Sequence, residues 1–129
     1  MKRTAIVIDD QREIVELLAE ILQLQGFKVL GMGYNGHDAI KLFEQYEPEF
    51  VFSDVHMPDL NGIEAVRKIR KRSTKVKIVL VTADMSQELE NTVQEEYVNA
   101  VIFKPFSIEK LNQVLDLVNS SQKLIIQKR

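Results

Sequence analysis

Residues 4–10 read TAIVIDD, a short apolar run that ends in two aspartates. The run is too short for a core helix and does not alternate apolar with polar residues, which is typical of a strand buried on both faces. Three other apolar runs also end in a polar residue, and they are FVFSD at 50–54, IVLVT at 78–82 and VIFK at 101–104. Strands of this kind occur in parallel sheets, so the sequence predicts an α/β domain.

Segments with the periodicity of a helix separate the predicted strands. Residues 10–25, for example, repeat apolar side chains at the three- and four-residue spacing of one helix face. We predict five strands near residues 4–8, 27–32, 50–53, 77–81 and 100–103. Five helices are predicted to alternate with them, within residues 10–25, 37–47, 63–72, 86–97 and 107–118.

Short connections between these elements restrict how the sheet can be wound. Five βα units joined by right-handed crossovers give a parallel sheet that is covered by helices on both faces. The predicted fold is a flavodoxin-like, doubly wound, five-stranded parallel sheet with strand order 2-1-3-4-5 and five helices. We assign residues 1–119 to this one domain, and residues 120–129 to a C-terminal tail or an extension of the last helix.

The segment at 86–97 differs from the other predicted helices because few of its residues are apolar. Only Leu89, Val93 and Tyr97 form an apolar stripe. A helix with so narrow an apolar face buries little surface, so we expect this helix to be weakly docked and mobile.

Composition excludes several classes of function. The chain of 129 residues has a net charge of -2 with both signs spread along it, which argues against general binding to nucleic acid or anionic membranes. It contains no cysteine, and this excludes disulfides, thiolate chemistry and zinc–cysteine sites. No apolar stretch is long enough to span a bilayer, and the N-terminus is unlike a signal peptide, so we expect a cytoplasmic protein.

The polar residues at the strand ends predict one functional site. The carboxyl ends of parallel strands line a single edge of the sheet, where ligands bind. Asp9, Asp10 and Asp54 should therefore meet there, together with the Thr82 hydroxyl and the Lys104 ammonium. Carboxylates this close repel one another unless a cation is bound, and Mg2+ suits carboxylates, a carbonyl and retained waters. The set also suits a phosphoryl group, with Asp54 as nucleophile and with Lys104 and Thr82 on its oxygens.

These motifs resemble those of response-regulator receiver domains, in particular the chemotaxis regulators of two-component signalling. The matching features run in order from about Thr4 to Val118, and they are Asp9-Asp10, Asp54 within SDVHMPDLNG at 53–62, Thr82-Ala83 and Lys104-Pro105-Phe106. Any one of these features is weak evidence by itself, but all of them lie at the ends of predicted strands. The resemblance therefore agrees with the site expected from the strand ends.

The resemblance implies a role for each matching residue. Asp54 would accept a phosphoryl group from a histidine kinase. Asp10, Asp54 and the backbone carbonyl of His56 would ligate Mg2+, while Asp9 would act through water. The peptide bond before Pro105 would be cis and would shape the loop that directs the preceding lysine.

A signalling switch is also implied, rather than a metabolic enzyme, although the domain would catalyse its own phosphotransfer and autodephosphorylation. Its partners would be a sensor histidine kinase or a phosphotransfer protein, and a downstream protein that binds according to phosphorylation. The domain itself would contact neither a membrane nor nucleic acid.

Two departures from the family pattern affect how the switch would work. The family usually has an aromatic residue three positions before the lysine, where this chain has Val101. Because valine is too short to swing between solvent and core, we expect Val101 to be buried and the signal to leave through the 86–97 helix. The other departure is at the positions that would flank the phosphoryl group and influence its hydrolysis, where this chain has His56 and Asp84.

Other functions are compatible with parts of this pattern. A flavodoxin-like cofactor binder needs a loop of Ser, Thr or Gly after the first strand, but Asp9, Asp10 and Gln11 follow it here. An aspartyl-phosphate phosphatase has its nucleophile at the end of that strand and a second acid two residues later, where Gln11 stands. The chain could also be the receiver of a larger DNA-binding response regulator, or a phosphorelay shuttle.

Overall fold

The computed structural model describes residues 3–95, 98–120 and 123–127. Within them the strands are β1 (Arg3–Ile8), β2 (Phe27–Gly33), β3 (Phe50–Ser53), β4 (Lys77–Thr82), β5 (Ala100–Phe103) and β6 (Ile125–Ile126). The helices are α1 (Arg12–Leu24), α2 (Gly36–Tyr46), α3 (Gly62–Arg72), α4 (Gln87–Glu95) and α5 (Ile108–Ser120). Among the described residues, no helix has the length and apolar character needed to cross a bilayer.

All neighbouring strands pair in parallel, in the order β2-β1-β3-β4-β5-β6. The predicted α/β fold and the order of its first five strands are therefore confirmed. The prediction of five strands was one too few, because β6 adds a strand beside β5. This order leaves β1 and β3 side by side at the centre, where the direction of winding reverses.

The described part of the C-terminal segment, residues 123–127, is extended and pairs with the sheet. Helix α5 ends at Ser120, and within the described part of the segment Ile125 and Ile126 pair with Ala100 and Val101 of β5. Residues 123–127 therefore contribute a strand to the sheet, where the sequence led us to expect a tail or an extension of the last helix. The physical reason is that β5 would otherwise be an edge strand with unpaired backbone groups, which an extended segment can satisfy.

The sheet separates two apolar layers. Alternate residues of a strand point to opposite faces, so Val51 packs toward α2, α3 and α4, whereas Phe50 and Phe52 pack toward α1 and α5. Both faces of β1, β3 and β4 are buried, as the continuous apolar runs predicted. The central strands are thus fixed from both sides, and the residues that follow them are held in place.

Helix α4 lies within the predicted 86–97 segment. Its apolar residues Leu89 and Val93 are buried in the layer shared with α2 and α3, and the Ser86 hydroxyl accepts a hydrogen bond from the backbone N–H of Leu89. Tyr97, the third residue of the predicted stripe, lies outside the described residues. Two buried residues remain a narrow contact, so the mobility of this helix stays a prediction.

Val101 is buried with 2% of its surface exposed, as predicted for the position that is usually aromatic in the family. It faces the layer that contains Leu89 and Val93, and its backbone pairs with Ile126 of the added strand. The burial of Val101 therefore depends on α4 and on β6 as well as on its own strand.

Candidate functional site

Three carboxylates meet at the carboxyl ends of the central strands. Asp9 and Asp10 follow β1, Asp54 follows β3, and one oxygen from each lies within 4.8 Å of the other two. The backbone N–H of Asp54 donates to the Ile8 carbonyl at 3.0 Å, which continues the pairing of β1 and β3 by one residue beyond the end of β3. Asp9 and Asp54 are buried and Asp10 is exposed, so the cluster opens to water on the Asp10 side.

The Lys104 ammonium lies between the two buried carboxylates. Its Nζ donates to Asp9 Oδ2 at 2.6 Å and to Asp54 Oδ2 at 3.0 Å. Lys104 follows β5 and is positioned by its own backbone N–H, which donates to the Thr82 carbonyl at 2.8 Å, and by the cis bond to Pro105. The lysine therefore partly neutralises the cluster, and the predicted cis bond is confirmed.

Burial and hydrogen bonding have opposite effects on the pKa values of Asp9 and Lys104. Burial raises the pKa of Asp9 above its usual value, although hydrogen bonds from Lys104 and from the Gln11 backbone act to lower it. Burial alone would lower the pKa of Lys104, but its hydrogen bonds to Asp9 and Asp54 outweigh burial, so that the pKa is raised. Lys104 therefore stays cationic, and burial disfavours the charge that Asp9 carries.

The two oxygens of Asp54 have different environments. Oδ1 accepts a hydrogen bond from the backbone N–H of Val55 at 2.6 Å, whereas Oδ2 contacts the ammonium of Lys104. The backbone behind Asp54 is in close contact with the start of α3, since the Gly62 N–H donates to the Val55 carbonyl at 2.8 Å. A Cβ atom at position 62 would lie 2.1 Å from the Asp54 carbonyl oxygen, so only glycine fits there without displacement. The orientation of the carboxylate is thus set from both sides.

Thr82 ends β4, and none of its surface is exposed to solvent. Its hydroxyl oxygen accepts a hydrogen bond from the backbone N–H of Asp84 at 3.1 Å, which connects the strand to the loop that leads into α4. A change in the orientation of this hydroxyl would therefore alter a hydrogen bond of that loop.

His56 and Asp84 connect the loops after β3 and β4. His56 Nε2 lies 2.6 Å from Asp84 Oδ2, and Asp84 Oδ1 accepts a hydrogen bond from the Ser86 N–H. These contacts, with the bond to His56 first, lower the pKa of Asp84 to about 2. The sequence pointed to both residues by their spacing from Asp54 and Thr82, but it did not predict that they contact each other.

The donor set fits a magnesium ion. Three carboxylates within one small volume supply the hard oxygen ligands that Mg2+ prefers, and the exposed side of Asp10 leaves room for the waters it retains. The predicted ligands Asp9, Asp10 and Asp54 are thus brought together by their side chains. The predicted carbonyl ligand belongs to His56, which lies in the loop directly after Asp54.

The chain matches the family model of the response regulator receiver domain over residues 5–116. Chemotaxis protein CheY of Thermotoga maritima is 29% identical over 118 residues, which are 88% of this chain and 98% of that protein. The crystal structure of a LuxR-family DNA-binding response regulator from Staphylococcus aureus has 31% sequence identity and a TM-score of 0.84, and the match covers 91% of this chain and 98% of that chain.

A longer relative matches as well. The probable C4-dicarboxylate response regulator DctR of Priestia megaterium is 29% identical over 126 residues, which are 97% of this chain, and the chain spans 55% of the length of that protein. Receiver domains bind Mg2+ at an acidic pocket, and Asp9, Asp10 and Asp54 form such a pocket here. The family match covers most of the sequence and includes every residue of the site, so the chain belongs to the response-regulator receiver domains, the signalling switches of two-component systems.

Proposed function

We propose that Asp54 accepts a phosphoryl group from a sensor histidine kinase or a phosphotransfer protein, and that this changes which protein the domain binds. The main support is the environment of the Asp54 carboxylate. Because Oδ1 is held by the Val55 N–H and Oδ2 by Lys104, the group has a fixed orientation at an edge open to a donor. A carboxylate oxygen would form the bond to phosphorus while the bond from phosphorus to the donor nitrogen breaks.

Mg2+ would be held by Asp10, Asp54 and the His56 carbonyl, with Asp9 acting through water. When bound, it neutralises the negative charge that the phosphoryl oxygens bring to the three carboxylates. The geometry supports this role because Asp9 and Asp54 already share a cation, the Lys104 ammonium. On phosphorylation Lys104 would turn to a phosphoryl oxygen, which leaves the carboxylates to the metal.

Thr82 would transmit the presence of the phosphoryl group. Its hydroxyl would donate a hydrogen bond to a phosphoryl oxygen, and in turning it would give up the hydrogen bond that it accepts from the Asp84 N–H. Because Asp84 also contacts His56 and Ser86, the loop before α4 would rearrange. The domain would catalyse only its own phosphotransfer and its own autodephosphorylation.

Two arrangements of the complete system are supported by different relatives. The coverage of 98% of Thermotoga maritima CheY favours a receiver that acts alone, as a shuttle or as a switch for protein binding. The coverage of 55% of DctR favours a receiver that regulates a further domain, and the similarity to a DNA-binding response regulator of Staphylococcus aureus favours a further domain that binds DNA. In both arrangements this domain contacts a kinase or phosphotransfer protein and a downstream protein, and it does not itself contact nucleic acid or a membrane.

Acetyl phosphate tests the assignment of the phosphoacceptor. In the presence of Mg2+ the protein should gain one phosphoryl group by intact-mass spectrometry, and Asp54→Asn should gain none. Asp59→Asn is a matched control because Asp59 is an exposed aspartate of the same loop, and this variant should be labelled like the unmodified protein. A label that persists in Asp54→Asn, or that is lost in Asp59→Asn, would contradict the assignment.

A further inference from the structure

The edge of β5 is covered by residues 123–127, which we name the C-terminal strap. Ile125 donates its backbone N–H to the Asn99 carbonyl at 3.0 Å, and Gln127 donates to the Val101 carbonyl at 2.9 Å. The Phe103 N–H donates to the side-chain Oε1 of Gln127 at 2.6 Å. The Gln127 amide thus takes the place of the backbone carbonyl that a longer strand would provide, and three backbone groups of the edge are satisfied.

The strap contacts both apolar layers but is only half-buried. Leu124 and Ile126 pack against the layer that contains α4, and Ile125 packs against the layer that contains α5. Each of these residues keeps part of its surface exposed. A strand of two paired residues with partly exposed side chains belongs to the least stable part of a fold, so the strap can open without unfolding the sheet.

A cavity connects the strap with the loop before α4. The cavity has a volume of about 480 Å3, and Asp84 and Met85 of that loop line it. Its opposite wall includes Val101, Ile126 and Gln127. A shift of the loop would therefore change the contacts that Ile126 and Gln127 make on the strap.

We propose that the C-terminal strap is bound to the β5 edge in the unphosphorylated protein and is released when the site at Asp54 is phosphorylated. This inference rests on the proposed function. In turning to the phosphoryl group, the Thr82 hydroxyl gives up the Asp84 N–H, and the wall of the cavity formed by Asp84 and Met85 moves. The strap then loses part of its support, and the backbone groups of Asn99, Val101 and Phe103 become available.

This route accounts for a switch that lacks an aromatic residue at position 101. Val101 is too short to move into solvent, and its backbone is paired with the strap. On release, the edge of β5 loses its paired strand, while the rotamer of Val101 does not change. The binding surface of the domain therefore changes by removal of a strand.

Hydrogen exchange of the unmodified protein provides the first test. With Mg2+ and beryllofluoride, a phosphoryl analogue, the amides of Phe103, Ile125 and Gln127 should exchange at least about tenfold faster than with Mg2+ alone. The amide of Val7 in the central strand should not change and serves as the internal reference. Unchanged or slower exchange at all three edge amides, with the analogue bound, would overturn the inference.

A reversible cross-link provides the second test. Ala100 and Ile125 are paired across β5 and β6, and the chain has no cysteine of its own, so Ala100→Cys with Ile125→Cys forms one defined disulfide. If binding of a phosphoryl analogue releases the strap, then fixing the strap must oppose binding of that analogue, because coupling between two sites is reciprocal. In the presence of Mg2+, the oxidised protein should bind beryllofluoride at least about fivefold more weakly than the same protein after reduction.

The controls separate this inference from the proposed function. The single variant Ile125→Cys should bind beryllofluoride equally with and without reductant. If the unmodified protein is never phosphorylated by acetyl phosphate, the proposed function fails and this inference fails with it. If phosphorylation proceeds and the oxidised double variant binds beryllofluoride as tightly as the reduced one, the inference alone is overturned.

Gln127→Ala tests the contact on which the end of the strap depends. Loss of the amide removes the acceptor for the Phe103 N–H, so exchange at Phe103 should rise about fivefold without any phosphoryl analogue. Gln113→Ala, which alters an exposed glutamine of α5, should leave that exchange unchanged. Equal exchange in the two variants would show that the strap does not protect the edge.

Discussion

Lys104 has a different partner in each state of the site. In the structure it neutralises Asp9 and Asp54, at 2.6 and 3.0 Å, and in the proposed phosphorylated state it binds a phosphoryl oxygen. On that proposal, Mg2+ and Lys104 would both be held by the carboxylates of the site. Metal binding would then free the Lys104 ammonium to contact the phosphoryl group.

Replacement of Lys104 by methionine should separate these effects. Without Mg2+ the variant should lose about 3 kcal/mol of stability, because two buried carboxylates lose their shared counter-ion. Added Mg2+ should restore most of that loss and should bind more tightly than to the unmodified protein, as shown by thermal unfolding and calorimetric titration. Lys110→Met, at an exposed position of α5, should change neither quantity. A weaker metal affinity in Lys104→Met would show that the lysine assists the metal.

The two adjacent aspartates should contribute unequally to metal binding. Both oxygens of Asp9 are engaged, one by Lys104 and the other by the Gln11 N–H, whereas Asp10 is exposed. We therefore expect Asp10→Ala to weaken Mg2+ binding by at least about tenfold, or ~1.4 kcal/mol, and Asp9→Ala to weaken it less. Titration with Mg2+ in the absence of a phosphodonor measures both. Equal losses would mean that Asp9 is also a direct ligand.

At the scale of elements, a contact between two side chains joins the loops after β3 and β4. The His56–Asp84 pair joins them, and the hydrogen bonds of Asp84 continue to Thr82 and Ser86. Two loops and the first turn of α4 therefore share a single carboxylate. A change in the position of Thr82 can therefore alter the hydrogen bonds of Asp84 and so the start of α4.

The pH dependence of this contact follows from the pKa of Asp84. Its folded-state value of about 2 lies below the usual 3.8, so the contact stabilises the protein fully above pH 3.8 and is lost as the pH falls through about 2. In His56→Ala the pKa should rise toward 3.8, because its first cause has been removed. Carboxyl 13C NMR of Asp84 in both proteins measures the change. An Asp84 pKa that stays near 2 in the variant would show that His56 is not the cause of the lowered pKa.

Among the side chains that the structure describes in α4, Leu89 and Val93 are buried. Leu89→Ala should destabilise the protein by about 3 kcal/mol and should raise exchange across α4 before exchange in the sheet, because one of these two buried contacts is lost. Leu117→Ala on α5, where half of the side chain is exposed, should cost less than about 0.5 kcal/mol. Chemical denaturation together with hydrogen exchange gives both quantities. Equal losses in the two variants would show that α4 is not held by its apolar stripe.

At the scale of the whole molecule, the sheet separates two layers that do not share side chains. Ile69 of α3 belongs to one layer and Ile21 of α1 to the other. Ile69→Val and Ile21→Val should each cost about 1 kcal/mol, and the double variant should lose the sum within about 0.5 kcal/mol. A coupling larger than this in denaturation experiments would mean that strain passes through the sheet.

Most of the fold and the positions of the site residues could be predicted from sequence, because parallel strands buried on both faces leave continuous apolar runs with polar ends. Asp9, Asp54 and Lys104 were expected together on that ground alone, and the structure brings them together. The strand β6 could not be predicted, since two isoleucines show no periodicity and their pairing depends on the open edge of β5. The contact between His56 and Asp84 was also missed, because it joins loops whose separation is set only in the folded protein.

The close approach of Gly62 to the Asp54 backbone has a consequence for how this protein can be varied. In a library of all single substitutions, changes at Asp54 would remove a reacting group, but changes at Gly62 would leave every side chain of the site intact. Even alanine at position 62 would bring a carbon atom to 2.1 Å from the Asp54 carbonyl oxygen, so the backbone of one of the two residues would have to move. The smallest possible addition of volume should therefore act like the loss of a carboxylate. A screen for phosphorylation would find position 62 as intolerant as position 54, although no atom of Gly62 takes part in the chemistry.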